Sequence, residues 1–286
     1  METITIQGDE ACAVSPEGAT SSMKLTELFS KLAPRRPDSA EMVLPDGVKA
    51  LIPLATGAIV VHQTPPRVYG FRWIANDSKE DFGDGTRYRS VRIALPYLVV
   101  LAVFEAPSGG LPTLSMRNEC FFLNQPLDTN GFETELHFPA LLNCSRLPDG
   151  SKHPLSWICT EHLRPRDYVV KSNLESSIRV GLSALLRHLL ESGFNRSSEN
   201  HELNSWYSES VAAGIDPRIA SVEDWEKATA EDPLFVLEVP WLPTGKSLRE
   251  VTKSIVGAGR TVQGPPANAS DLARLIHNQK RTRRRQ

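Results

Sequence analysis

Between residues 42 and 127 the sequence is a series of short segments rich in β-branched and aromatic residues, separated by turn signals. RVYGFRWI (67–74) and SVRIALPYLVVLAVFE (90–105) are the clearest of these segments. Others lie at 42–54, around an Asp-Gly turn, and at 58–63 and 118–127. Closely spaced strands with short connections favour an antiparallel meander, because parallel strands need long crossovers.

Helical periodicity appears on both sides of this strand region. SNLESSIRVGLSALLRHLLESG (172–193) has a continuous leucine-rich stripe, and Ser172 and Glu175 have the spacing of a capping box. KLTELFSKLA (24–33) predicts a short amphipathic helix that Pro34 ends. Two further helices are predicted in the C-terminal part, at 221–232 and 246–256. The order predicts an α+β domain whose N-terminal and C-terminal helices pack on an antiparallel meander.

Three segments follow from the same pattern. Residues 1–22 lack periodicity and are rich in Ser, Glu, Gly and Thr, so we expect them to be disordered. Residues 23–257 are expected to form a single α+β domain. Residues 258–286 contain a Gly- and Pro-rich linker followed by a basic tail.

The charge distribution limits the classes of partner. The net charge is −2, and five basic residues lie within 280–285, which leaves about −7 for the rest. An acidic body argues against a broad nucleic-acid face, so the tail is the segment able to contact nucleic acid or an acidic partner. A solvated, disordered end is the alternative interpretation. No apolar run reaches the roughly 18 residues of a membrane span, and the acidic N-terminus is unlike a secretory signal, so we expect a cytoplasmic protein.

Four cysteines in a chain of 286 residues do not indicate a disulfide framework. Cys159 stands between His153 and His162, which allows three interpretations: a reactive thiol, a metal ligand or a buried core residue. Cys144, His153, Cys159 and His162 have the spacing C-x8-H-x5-C-x2-H and carry ligands that suit zinc. Zinc patterns usually pair close ligands at both ends, and here only the second pair is close.

Several short motifs together resemble a known family. LPYLVVLAVF (95–104) is an apolar strand beginning near a proline, and FFLNQPLDT (121–129) is a strand that leads to a turn. ELHFPALLN (135–143) contains a proline followed by an asparagine, WIC (157–159) contains the cysteine, and ESGFNRSSENH (191–201) contains a downstream histidine. Over about residues 90–205 this order resembles the prokaryotic ubiquitin-conjugating-like (UBC-like) proteins, in particular the group known as protein B of PRTRC systems.

This resemblance implies a fold and a chemistry. It places a UBC-like core at about 88–210, with a C-terminal helical extension. Cys159 would accept the C-terminus of a modifier as a thioester, Asn143 would assist the oxyanion, and His162 or His201 would bind or deprotonate the incoming amine. The implied partners are an adenylating activating enzyme and a small ubiquitin-like modifier, and no cofactor is required. A non-catalytic α+β scaffold that binds proteins and a zinc-stabilised module are the alternatives.

Overall fold

The chain divides into two compact units, Val43–Gly259 and a second unit made of Met1–Met42 with Arg260–Gln286. The larger unit ends close to the predicted boundary at 257, but begins at Val43 rather than at residue 23. The computed structural model describes residues 3–7, 9–14, 18–24, 44–54, 57–74, 88–105, 112–127, 131–147, 153–160, 163, 168–169, 173–191 and 205–259. The basic tail 280–285 lies outside these residues, as does the predicted helix 24–33 apart from Lys24.

The N-terminal segment forms a three-stranded antiparallel sheet, which corrects the expectation of disorder over 1–22. Its strands are β1 (Thr3–Gln7), β2 (Glu10–Val14) and β3 (Thr20–Lys24), in that order across the sheet. Alternate residues of β2 and β3 are buried, among them Ala11, Ala13 and Met23. The inward side chains are mostly small, so the period of two that marks a strand is weak in the sequence.

A nine-stranded antiparallel sheet forms the centre of the larger unit. Its strands are β4 (Val48–Leu54), β5 (Gly57–Thr64), β8 (Tyr97–Glu105), β9 (Thr113–Leu114), β10 (Glu119–Leu123), β11 (Glu135–His137), β12 (Cys144–Ser145), β13 (Trp157–Ile158) and β14 (Pro243–Ser247). The main path across the sheet runs β12-β13-β10-β8-β5-β4, while β9 pairs with β8 and β11 pairs with both β10 and β14. The predicted antiparallel strands at 58–63 and 118–127 are confirmed as β5 and β10.

A separate two-stranded sheet interrupts the meander. It consists of β6 (Arg67–Ile74) and β7 (Tyr88–Leu95). The apolar segment 90–105 therefore divides at Pro96 into two strands that belong to different sheets. Proline has no N–H for a strand ladder, which makes this position a natural break.

Within the described residues, four α-helices follow: α1 (Leu174–Glu191), α2 (Trp206–Ala212), α3 (Val222–Glu231) and α4 (Leu248–Gly259). The predicted helices at 172–193, 221–232 and 246–256 are confirmed, within a few residues at each end. Asn173 caps α1, since its Oδ1 accepts from Ser176 N at 2.8 Å, and the proposed cap Ser172 lies outside the described residues. Short 3-10 helices lie at Gly131–Glu133, Pro217–Ile219 and Phe235–Leu237.

Two of these helices, α4 and α1, pack on opposite faces of the large sheet. One face forms a core with α4 through the fully buried Val99, Leu101 and Phe121 of the sheet and Leu248 and Val251 of α4. On the other face α1 approaches so closely that a Cβ at Gly181 would touch the Phe104 ring. The described residues thus form a mixed α+β fold with antiparallel sheets. None of the helices described here combines the length and apolar character that crossing a bilayer requires.

We predict that Gly57→Ala lowers the free energy of unfolding by about 2–4 kcal/mol. A Cβ at Gly57 would overlap the main-chain oxygen of Phe104 on the paired strand, and that atom cannot rotate away. Urea unfolding followed by circular dichroism measures the change. Gly70→Ala in β6 is the control, since a Cβ there meets nothing within 4 Å. Equal losses in the two variants would contradict the close approach of β5 and β8.

Candidate thiol site at the end of β13

Cys159 directly follows β13, and its main chain is held on both sides. Its N–H donates to the main-chain oxygen of Asn143 at 2.9 Å, and its own carbonyl oxygen lies 2.8 Å from Nε2 of His188. Cys159 is half-buried, whereas the next residue, Thr160, is buried. The main chain of Asn143 therefore lies beside Cys159, and the structure adds a histidine that the sequence analysis did not include.

The two-residue strand β13 fixes this position because it pairs on both edges. On one side Glu119 of β10 faces Trp157, and on the other Cys144 of β12 faces Ile158. Ile158 N donates to Asn118 O at 3.0 Å, and Cys120 N donates to Ser156 O at 3.1 Å. Main-chain pairing on both edges leaves the segment before Cys159 little conformational freedom.

The Asn143 side chain points toward α1. Its Nδ2 donates to Leu189 O at 3.0 Å, and its Oδ1 lies 3.9 Å from Cys144 Sγ. The last carbonyls of a helix lack partners within the helix, so this amide satisfies one of them. The main chain of Asn143 contacts Cys159, while one of the two donors of its amide ties the segment to the helix.

His188 lies in the last turn of α1 and reaches the Cys159 main chain from the helix side. A carbonyl oxygen can only accept, so Nε2 carries a proton in this arrangement. A histidine near a helix C-terminus interacts favourably with the helix dipole when it is charged. In the sequence, His188 is a single histidine beside the leucine stripe of 172–193. Its spacing from Cys159 matches no known motif, so little in the sequence indicated this contact.

The other two cysteines of the larger unit are in the core. Cys120 and Cys144 are both fully buried. Burial, with a smaller contribution from the neighbouring Cys120, raises the pKa of the Cys144 thiol well above its usual range. Cys144 therefore stays a protonated, inert thiol near neutral pH. Cys159, which is half-buried, is the most exposed of the three cysteines of this unit.

Three of the four residues proposed as zinc ligands lie in the described ranges. Within the described ranges, no three His, Cys, Asp or Glu side chains come together as a metal site, and Cys144, His153 and Cys159 all fall within those ranges. The fourth proposed ligand, His162, lies outside them, and so does His201, the other predicted amine-binding residue.

Glu119 is a buried carboxyl group that the sequence analysis did not consider. It is 0% exposed, and its Oε2 accepts from Leu155 N at 3.0 Å and Ser156 N at 3.3 Å. Oε1 is buried without a hydrogen-bond partner among the described residues. Burial raises the pKa of Glu119 to about 7, against the opposing effect of the two N–H bonds. In the sequence it is one acidic residue at the start of NECFFL, where it looks like a strand end.

Comparison with known proteins gives no match to a family model, to a curated protein or to a solved structure. The resemblance found in the sequence therefore remains an expectation, and the residues around Cys159 carry the argument about function.

We predict that N-ethylmaleimide modifies Cys159 at least about a hundredfold faster than Cys120 or Cys144, because the buried thiols react only after local opening. Timed quenching and peptide mass spectrometry give the three rates in one experiment. Addition of urea should bring the rates together. Labelling of Cys144 as fast as that of Cys159 in the folded protein would contradict the placement of these thiols.

We also predict a pH-dependent effect of Glu119→Gln on stability. The folded-state pKa of about 7 lies above the ordinary value of 4.5, so the folded protein binds this proton more tightly than the unfolded chain. The stabilisation that the folded protein gains from this proton is fully present below pH 4.5 and is lost as the pH rises through 7. Because glutamine cannot ionise, the free energy of unfolding of the variant relative to wild type should rise by about 3 kcal/mol between pH 4.5 and 8.

Urea unfolding at several pH values tests this second expectation. Glu231→Gln is a suitable control, because Glu231 is exposed at the end of α3. A difference between wild type and Glu119→Gln that does not change with pH would show that the carboxyl group is not buried as described.

Proposed function

We propose that this protein carries the C-terminus of a ubiquitin-like modifier as a thioester on Cys159, within a bacterial ubiquitin-like modification system. The observation that carries the proposal is a half-buried cysteine whose main chain is held by Asn143 and His188, in a unit whose other two cysteines are fully buried. A thioester carrier needs an accessible sulfur and a fixed approach for the acyl donor.

The order of elements supports the same proposal. The strands β4, β5, β8 and β10 are neighbours in the sheet in chain order, and the hairpin β6–β7 stands outside that sheet. The segment with Asn143 and Cys159 comes next, and α1 follows it. UBC-like proteins have a similar order, with a four-stranded meander, an irregular segment bearing the cysteine and then helices. Of the four strands named here, β8 and β10 lie within the segment of about 90–205 that carries the resemblance, and β4 and β5 precede it.

The proposed chemistry is acyl transfer without a cofactor. The Cys159 thiolate attacks the carbonyl carbon of the modifier's acyl-adenylate, a C–S bond forms, the C–O bond to the adenylate breaks and AMP leaves. The adenylate comes from the activating enzyme. His188 would hold the Cys159 main chain during this step through its contact with the carbonyl oxygen. In the second step an amine attacks the thioester carbon, the C–S bond breaks and Cys159 leaves as the thiolate.

Three other residues complete the proposal. One donor of the Asn143 amide is used on Leu189 O, so its second N–H is the one proposed for the oxyanion. His162 and His201 keep the proposed role of binding or deprotonating the incoming amine, although neither lies within the described residues. Thus Asn143 first positions Cys159 and then assists the reaction.

A non-catalytic protein-binding scaffold is the second candidate, and one observation favours it. Met116 is 51% exposed beside this site: its carbonyl accepts from Trp157 Nε1 at 2.9 Å, and its sulfur lies 3.5 Å from the Thr160 hydroxyl. An exposed methionine beside a half-buried tryptophan provides an apolar contact surface for another protein. Such a surface would serve a scaffold as well as a carrier.

Transfer from a synthetic peptide thioester ending in Gly-Gly distinguishes these functions without the native partners. We expect the purified protein to gain the peptide mass on Cys159, and dithiothreitol at neutral pH to remove it. Transfer to Cys159 should be at least about tenfold faster than to the half-exposed Cys12, which lies in the other unit. Intact-mass and peptide mass spectrometry measure both rates.

Matched variants identify the acceptor. Cys159→Ser should abolish the thiol-labile adduct at position 159 and leave only the slower reaction of Cys12. Cys12→Ser should leave the transfer to Cys159 unchanged. Equal acylation of Cys12 and Cys159 would mean that the surroundings of Cys159 contribute nothing, and the scaffold function would then be the better account.

A further inference from the structure

The strongest feature outside the proposed reaction is the buried carboxyl group of Glu119. Its Oε2 accepts from two consecutive main-chain N–H groups, those of Leu155 and Ser156. These two residues directly precede β13, and Cys159 directly follows that strand. Burying a carboxyl group costs free energy unless strong hydrogen bonds compensate, so a hydrophobic residue here would be the more stable choice.

The space beside Glu119 is small. The cleft is bordered by Val103, Glu105, Arg117, His153 and Ile255, and its free volume is about 20 Å³. That is room for about one water molecule, which is too little for an organic ligand. The carboxyl group is therefore explained better by what it holds in the protein than by something it binds.

We infer that Glu119 is a positioning residue for Cys159: its carboxylate holds the main chain of residues 155–156 and thereby sets how the thiol is presented. The register supports this, because Glu119 faces Trp157 across the β10–β13 pair. The Cys159 main chain is then held by Asn143 and His188, so the carboxylate fixes one end of a segment whose other end is already bonded.

The carboxyl group makes this positioning sensitive to pH. Hydrogen bonds to an ionised carboxylate are roughly twice as strong as those to a neutral acid. Since its pKa is about 7, Glu119 changes between these two forms near neutral pH. The charged or titratable groups around the cleft are Glu105 from the end of β8, Arg117 from the segment before β10 and His153 from the segment before β13, while α4 contributes Ile255. Protonation of Glu119 therefore weakens its hydrogen bonds to the main chain of residues 155–156. The position of the Cys159 thiol then becomes less restricted.

This inference depends on the proposed function only where it concerns acyl transfer, and its test uses the thiol alone. The rate of alkylation of Cys159 by iodoacetamide is measured from pH 5.5 to 9 in the full-length protein, by mass spectrometry of the peptide that contains it. The alkylation rate of Cys159 in the wild-type protein is divided by the fraction of Cys159 present as thiolate at each pH. This corrected rate should rise about fivefold as the pH increases, with a midpoint near pH 7. Glu119→Gln should remove this step and leave only the ionisation of the thiol.

Glu105→Gln is the matched control, because it removes a carboxylate from the same cleft and leaves the N–H bonds of Leu155 and Ser156 in place. It should retain the step. A wild-type profile without the step, or a step that persists unchanged in Glu119→Gln, would overturn the inference.

A measurement on the wild-type protein covers the case in which Glu119→Gln does not fold. The amide signal of Leu155 in protein labelled with ¹⁵N-leucine should titrate with a midpoint near 7, and a signal that stays constant from pH 5.5 to 8.5 would overturn the inference. The two proposals can fail separately. If no peptide adduct forms but the pH-dependent step in alkylation is present, only the acyl-carrier function is rejected. If the adduct forms but the step is absent, only the role of Glu119 is rejected.

Discussion

Burial of β8 on both faces is the constraint on which the larger unit depends. Its seven interior residues, 98–104, are all buried, and the strand pairs with both β5 and β10. Each fully buried aliphatic side chain contributes roughly 1.5–3 kcal/mol, so this strand alone is a large part of the core. The covering helices, α4 on one face and α1 on the other, are held by the same apolar strand.

The thiol site follows from this arrangement. β8 pairs with β10, β10 pairs with β13, and Cys159 directly follows β13. The position of Cys159 therefore depends on the burial of β8. The helix that covers the sheet supplies His188, so the packing of α1 also decides what lies beside the cysteine. Glu119 is the costly element of the site, since it places an ionisable group in β10, whose other four residues are buried and apolar.

Much of the fold was visible in local patterns. The period of the leucines predicted α1, and the β-branched runs predicted β5 and β6 because apolar burial imposes the same period on the sequence. The N-terminal sheet was missed, since Ala11, Ala13 and Ser21 face inward there and carry almost no hydrophobic signal. Pro96 could have indicated that 90–105 is two strands, but only tertiary pairing assigns them to different sheets.

The candidate site shows the same division. The sequence by itself determined the α+β class, the main helices and the choice of Cys159, because periodicity and residue chemistry are local properties. Tertiary structure alone decided that Cys144 is buried, that His188 reaches the Cys159 carbonyl, and that Glu119 holds the preceding segment. Such contacts join residues 29 and 36 positions apart in the chain, and their distances depend on strand pairing and helix packing, which no local pattern encodes.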